Sequence, residues 1–228
     1  MSWKIQKHLN SSTFENTINE PVIKELTVSK RVFIDFLKNL KLDIEYFCFR
    51  WLHLLNFNKK FLIAQRSFSR YNDDFFRKIK LKYIVLCSEL EIGGIPALGF
   101  ANPEMKTLIL NINTNNTEFE RVLHHEVFHI INDSFKEIFN EKTWSSFNSD
   151  SFNYAKCSTC TKKIGLDTYS KTDGFITEYS KSTASEDMAE VFSHLMHGNL
   201  PKQIDPILQK KIDFIKSGLL KIDQNFDL

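Results

Sequence analysis

The chain has 228 residues, 42% of them hydrophobic and 25% charged, and its 30 Lys+Arg against 28 Asp+Glu give a net charge of +2. That length can bury a core without disulfide staples, and the composition excludes a wholly disordered chain. The balanced charge leaves no polyelectrolyte footprint, so no nucleic-acid partner is expected.

Residues 1–27 are polar with weak periodicity, and Met1 to His8 lack the apolar stretch of a signal peptide. No stretch reaches the roughly 18 apolar residues of a membrane span. The default compartment is therefore the cytosol, with signal-independent secretion left open. From Ser29 onward the pattern turns helical: Phe33, Phe36, Leu37 and Leu40 recur at spacings of three and four, with Ser29 as N-cap. Residues 43–56 carry a second such pattern and 70–80 a shorter third. The segment 1–80 thus reads as a helical N-terminal portion packed on a catalytic portion spanning 81–228, most simply within one continuous domain.

The period changes at residue 82. Lys82 to Cys87 is β-branched and aromatic and reads as a strand. Residues 97–101 and 107–112 form two further strands around a turn at Asn102-Pro103-Glu104, so a small antiparallel sheet is expected. A helix follows, with Thr117 and Glu120 in capping-box spacing and Phe119, Val122, Leu123, Val127, Ile130 and Ile131 along it. Residues 140–182 are rich in Ser, Thr, Asn and Lys and read as a long loop, a feature that in compact domains is usually functional. Helical pattern returns at 185–197 and 204–222. The lysines at 202, 210, 211, 216 and 221 are expected on the wet face of the last helix. The fold class is α+β.

The strongest chemical signal is His125-Glu126-Val127-Phe128-His129. On a helix, residues four apart stand one turn above each other, so both imidazoles can reach one metal ion while Glu126 polarises its water. A catalytic zinc takes a third protein ligand. Asn132 and Phe135 occupy the positions where an extended motif has Gly and a third His. The search therefore moves downstream, to Glu186 and Glu190, four apart on one helical face. One can ligate the metal while the other holds a ligand histidine by its free ring N–H; as a bland alternative, both face water. Asp187 is expected to be a solvated acid near the helix N-terminus. His124 is expected in packing or at the surface, and His194 is a lesser candidate for approaching the metal.

Together these residues resemble the gluzincins. Gly174 to Lys181, leading into Ser185-Glu186-Asp187-Met188-Ala189-Glu190, is more specific and is similar to anthrax-lethal-factor-like peptidases and related bacterial zinc-binding metallopeptidases. The resemblance covers roughly residues 95–197. It implies a zincin-like domain with one Zn²⁺ held by His125, His129 and Glu186, with Glu126 as base. It also implies Tyr179 as a donor to the developing oxyanion and Glu190 behind the ligands. The expected activity is hydrolysis of peptide bonds in a peptide or protein substrate. A zinc amidase acting on a non-protein substrate and a non-catalytic zinc-stabilised module are the alternatives, and the presence of Glu126 favours an enzyme.

Cys157-Ser158-Thr159-Cys160 departs from that family pattern. Its spacing suits a redox pair or half of a second zinc site, and both readings stand at this point.

Overall fold

The computed structural model describes residues 54–92, 94–160 and 165–227. The helix expected from Ser29, most of that at 43–56, and Cys48 lie outside these residues. Helix α1 (Leu54–Phe68) places Phe57, Phe61, Ala64 and Phe68 on one buried face. Helix α2 (Asp73–Ile79) starts where the Asn72 side chain accepts from the Phe75 N–H at 2.8 Å, and it stops at Lys80 in the left-handed region. Tyr71, Phe75 and Phe226 pack ring on ring and tie this end of the fold to the C-terminus.

Strands β1 (Tyr83–Cys87), β4 (Gly99–Asn102) and β5 (Thr107–Asn111) form one sheet in the order β1-β5-β4, and a two-residue pair, β2 (Glu91–Ile92) and β3 (Ile95–Pro96), stands apart. The β4–β5 hairpin is antiparallel as expected. The sheet as a whole is mixed, because β1 runs parallel to β5, with Tyr83 opposite Thr107 and Cys87 opposite Asn111. Residues 88–106 supply the crossover that a parallel pairing requires. Cys87 is buried at the end of β1.

Helix α3 (Asn116–Ser134) is the centre of the molecule, packed on β4 and β5, on α1 and α2, and on α5 (Ala184–His197). Its N-cap is Asn115, whose side chain accepts from the Glu118 N–H at 2.9 Å, so the helix begins ahead of the Thr117–Glu120 box. Helix α5 is capped by Thr183, which accepts from the Glu186 N–H, and it ends at Gly198 with φ 75°, a conformation that glycine adopts at little cost. Helix α6 (Pro206–Ile222) starts at Asp205, which accepts from the Ile207 and Leu208 amides.

The described residues of the stretch 140–182, namely 140–160 and 165–182, hold more structure than their polar composition suggests. They include helix α4 (Glu141–Ser145), a 3-10 turn at Tyr179–Lys181, and an isolated bridge between Thr168 and Thr177. Their aromatic residues Trp144, Phe147, Phe152, Tyr154 and Phe175 pack inward. Among the described residues, no helix is long and apolar enough to cross a membrane.

Candidate metal centre

Helix α3 carries His125 and His129 on the face turned toward α5, and α5 answers with Glu186 from its first turn. His125 Nε2 lies 2.9 Å from Glu186 Oε2, His129 Nε2 lies 3.2 Å from the same oxygen, and the two ring nitrogens are 3.2 Å apart. Three ligand atoms therefore converge on one point. A tetrahedral zinc with bonds of about 2.0–2.1 Å sets its ligands about 3.3–3.4 Å apart, so the triangle matches one face of that tetrahedron to within a few tenths of an ångström. Two imidazoles and a carboxylate are also the donor set that a catalytic zinc takes. The spacing and the donor set both suit a shared divalent cation, so the residues fit the metal.

Each histidine is steered from α5. His125 Nδ1 donates to Glu190 Oε1 at 3.0 Å, and His129 Nδ1 lies 3.2 Å from Ser185 Oγ. Asn132, where the extended motif would place glycine, lies beside the same hydroxyl at 3.4 Å. Glu190 is wholly buried. Its Oε1 also receives Arg121 Nη1 at 2.5 Å, and its Oε2 receives the Thr177 hydroxyl at 2.8 Å. Sequence reasoning found Glu190 but missed Arg121, Thr177 and Ser185. Arg121 stands one turn before His125, and that i, i+4 spacing was the available signal.

Electrostatics follow from this packing. Burial opposes a charge on His125, but hydrogen bonds to Glu186 and Glu190 outweigh it and raise its pKa to about 10. Burial would likewise raise both glutamates. The charge of His129 and the hydrogen bonds of both histidines instead hold Glu186 well below the carboxylate range. The His125 hydrogen bond and Arg121 bring Glu190 down to about 2. Glu126 goes the other way: burial raises its pKa against the pull of His125 and His129. Its carboxylate accepts from the Ala101 amide of β4. Strand and helix meet closely here, since a Cβ at Gly99 would come within 2.8 Å of Glu126 Oε1 and 2.6 Å of Val122 Cγ1.

The Tyr179 ring lies 6.0 Å from that of His125, and burial, then the Glu186 and Glu126 carboxylates, push its phenol far up. It is a proton donor at any physiological pH.

A family model described as "Putative zinc-binding metallo-peptidase" matches residues 54–226. The chain belongs to this family. No curated protein matches it. The match reaches beyond the resemblance at 95–197 and takes in α1, α2 and α6. These elements support the centre from outside rather than supply its donors.

Several expected residues sit elsewhere. His124 is buried in packing, its Nδ1 2.6 Å from the Tyr71 hydroxyl, and burial drives its pKa down to about 3. His194 is turned to Asn199 at 2.8 Å and is not among the converging donors. Asp187 is no solvated acid. It is wholly buried, and its Oδ2 receives Trp144 Nε1 at 2.8 Å, the Tyr154 hydroxyl at 2.6 Å and Lys211 Nζ at 2.6 Å. Lys211 leaves the wet face with it, while 202, 210, 216 and 221 stay exposed. Cys157 and Cys160 form a disulfide, which leaves neither thiolate for a second zinc.

Proposed function

We propose that this chain is a zinc-dependent peptidase that cleaves peptide bonds by water attack, with His125, His129 and Glu186 as ligands, Glu126 as base and Tyr179 as oxyanion donor. The observation that carries the reading is Glu126. A module that only stores or is stabilised by a metal needs the three donors. It has no use for a further buried carboxylate beside them, set against the edge strand with its proton affinity raised. That property suits a group that must take a proton and give it back.

Zinc, when bound, supplies Lewis acidity to a water and to a carbonyl oxygen. Glu126 takes the proton that the attacking water loses and returns it to the leaving amine. The Ala101 amide keeps the carboxylate oriented, and the bare Cα of Gly99 gives it room. Tyr179, protonated throughout, donates to the carbonyl oxygen as charge develops there. Thr177, two residues before Tyr179, accepts the Ser180 N–H at 3.1 Å and fixes the turn that presents the phenol.

Elemental analysis of the purified chain is expected to give one zinc, lost in Glu186→Ala. Glu126→Gln should keep the zinc and lower hydrolysis of a mixed peptide library by about 10²–10⁴-fold, the worth of a positioned acid–base group. Turnover that survives Glu126→Gln would remove the proposed base. A folded chain that takes up no zinc would remove the metal centre.

A further inference from the structure

Behind the donor triangle runs a buried chain of charge: His125, Glu190, Arg121, Glu118. Arg121 is 4% exposed and makes the ion pair with Glu190 at 2.5 Å; its other nitrogen, Nη2, donates to Glu118, which is partly open to solvent. Glu190 itself has no exposure. Its carboxylate is fixed by three donors from two elements: Arg121 and His125 from α3 on Oε1, and Thr177 from the loop before the 3-10 turn on Oε2. Thr177 is itself locked, since it accepts from the Ser180 amide and lies 3.2 Å from the Ser180 hydroxyl. A carboxylate held at both oxygens cannot rotate about its terminal bond. His125 Nδ1–H therefore has one acceptor in one place, which fixes the ring's orientation and leaves the Nε2 lone pair for the metal.

The second histidine lacks this arrangement. His129 Nδ1 meets only the Ser185 hydroxyl, which is also close to Asn132. The orientation of the pair is thus set mainly on the His125 side.

Resting on the zinc reading above, we infer that Arg121 and Thr177 are positioning residues of the metal centre. They clamp Glu190 so that it orients His125, and they thereby set the affinity of the site for zinc. Neither is among the three converging donors. Their contribution arises wholly through Glu190, and that makes it separable by experiment.

The probes are Zn²⁺, by equilibrium competition with a chromophoric chelator, and Co²⁺, by its visible d–d spectrum, on the full chain. Loss of a partner behind a metal ligand typically weakens binding by about 10–100-fold. Arg121→Met is expected to weaken zinc within that range and to change the Co²⁺ bands, with Arg121→Lys recovering part of the loss. In a Glu190→Gln background, Arg121→Met should add less than about twofold, because the group through which it acts is already altered. Thr177 supplies a second arm that does not depend on removing a charge. Thr177→Val keeps the shape and loses the hydroxyl; Thr177→Ser keeps the hydroxyl and loses a methyl. Positioning predicts weakened zinc in Val and near-normal zinc in Ser, whereas a packing role predicts the reverse order.

Folded variants at both positions that bind zinc and Co²⁺ like the parent would overturn the inference while leaving the zinc peptidase intact. An additive Arg121→Met effect in the Glu190→Gln background would also overturn it. A parent chain that binds no zinc would overturn the underlying reading instead. Should Arg121→Met fail to fold, the Thr177 pair and Arg121→Lys still decide the matter.

Discussion

Asp187 and Glu190 stand three residues apart on α5, and both carboxylates are wholly buried. Each collects three donors, and each has a cationic partner, Lys211 for the one and Arg121 for the other. Their neighbours differ in kind. Glu190 spends one oxygen on a histidine of the donor triangle. Asp187 gathers Trp144 from α4, Tyr154 from the loop and Lys211 from α6, and Lys211 also donates to the Gly174 carbonyl at 2.7 Å and lies 3.9 Å from the centre of the Phe175 ring. The Asp187 network holds the long loop and the last helix onto the helix that bears Glu186; the Glu190 network reaches into the centre. Buried charge alone does not mark an active site. What marks it is whether the charge ends on a group with chemistry to do.

That comparison breaks most sharply under mutation of the anchor. Burial works against both partners, raising the pKa of Asp187 and lowering that of Lys211, and their pairing offsets the cost. Lys211→Met leaves Asp187 buried without its cation and should cost about 3–5 kcal/mol in thermal unfolding. Zinc affinity of the folded fraction should stay near that of the parent. The double variant Asp187→Leu with Lys211→Met should recover only part of the loss, since an apolar pair avoids desolvating the two charges but leaves Trp144 Nε1 and the Tyr154 hydroxyl without their acceptor. A single variant that melts like the parent but binds zinc poorly would merge the two networks into one.

The next effect is read in turnover. Gly99→Ala puts a methyl group where Glu126 Oε1 and Val122 Cγ1 already lie, so either β4 or the carboxylate must shift. A misplacement on the order of 1 Å can cost about 10²-fold in rate. Gly99→Ala should therefore lower peptide hydrolysis by roughly that factor while one zinc per chain remains. Unchanged turnover would show that the Glu126 carboxylate has slack where the packing shows none.

The contrast between the two carboxylates also separates what the sequence discloses from what it hides. His125 and His129 were legible because helix periodicity converts a spacing of four into a shared face; spacing left Glu186 and Glu190 open as the third donor, the resemblance pointed to Glu186, and its oxygen does lie with the two ring nitrogens. The helices α3, α5 and α6 and the strands β1, β4 and β5 follow from the same local rules. Partners remote in sequence do not. Lys211 reaches Asp187 across 24 residues and Arg121 reaches Glu190 across 69, and no periodic pattern reports which charged residue turns inward to a mate. The parallel pairing of β1 with β5 is hidden for the same reason, since a strand pattern names the strand and not its neighbour. At the start of α3 two cap sequences compete, Asn115 to Glu118 and Thr117 to Glu120, and propensity alone ranks them too closely to choose.

A smaller effect belongs to the Cys157–Cys160 disulfide. It closes a loop of only a few residues, so its entropic stabilisation lies at the low end, about 2 kcal/mol or less. Reduction, or a double change to Ser, should lower the melting temperature modestly and leave zinc stoichiometry at one. A second zinc taken up on reduction would place metal chemistry back at this pair.

The smallest effect tests the outer edge of the anchoring region. Asp205 caps α6 and also receives the Gly174 amide at 2.8 Å, so it joins helix to loop a few ångströms from the Lys211 contact with the same glycine. Burial raises its pKa, but hydrogen bonds from Thr172 and from the Gly174, Leu208 and Ile207 amides outweigh this and lower it. A carboxylate whose folded pKa is depressed contributes stability that is complete above its unfolded pKa, near 3.9, and is lost as pH falls through the folded value. Asp205→Ala should therefore cost about 1 kcal/mol at neutral pH, the usual worth of an N-cap, and the difference from the parent should shrink below about pH 4. Unfolding curves of the two proteins from pH 3 to 7 measure it. A gap that stays constant with pH would mean that Asp205 acts through its shape rather than its charge.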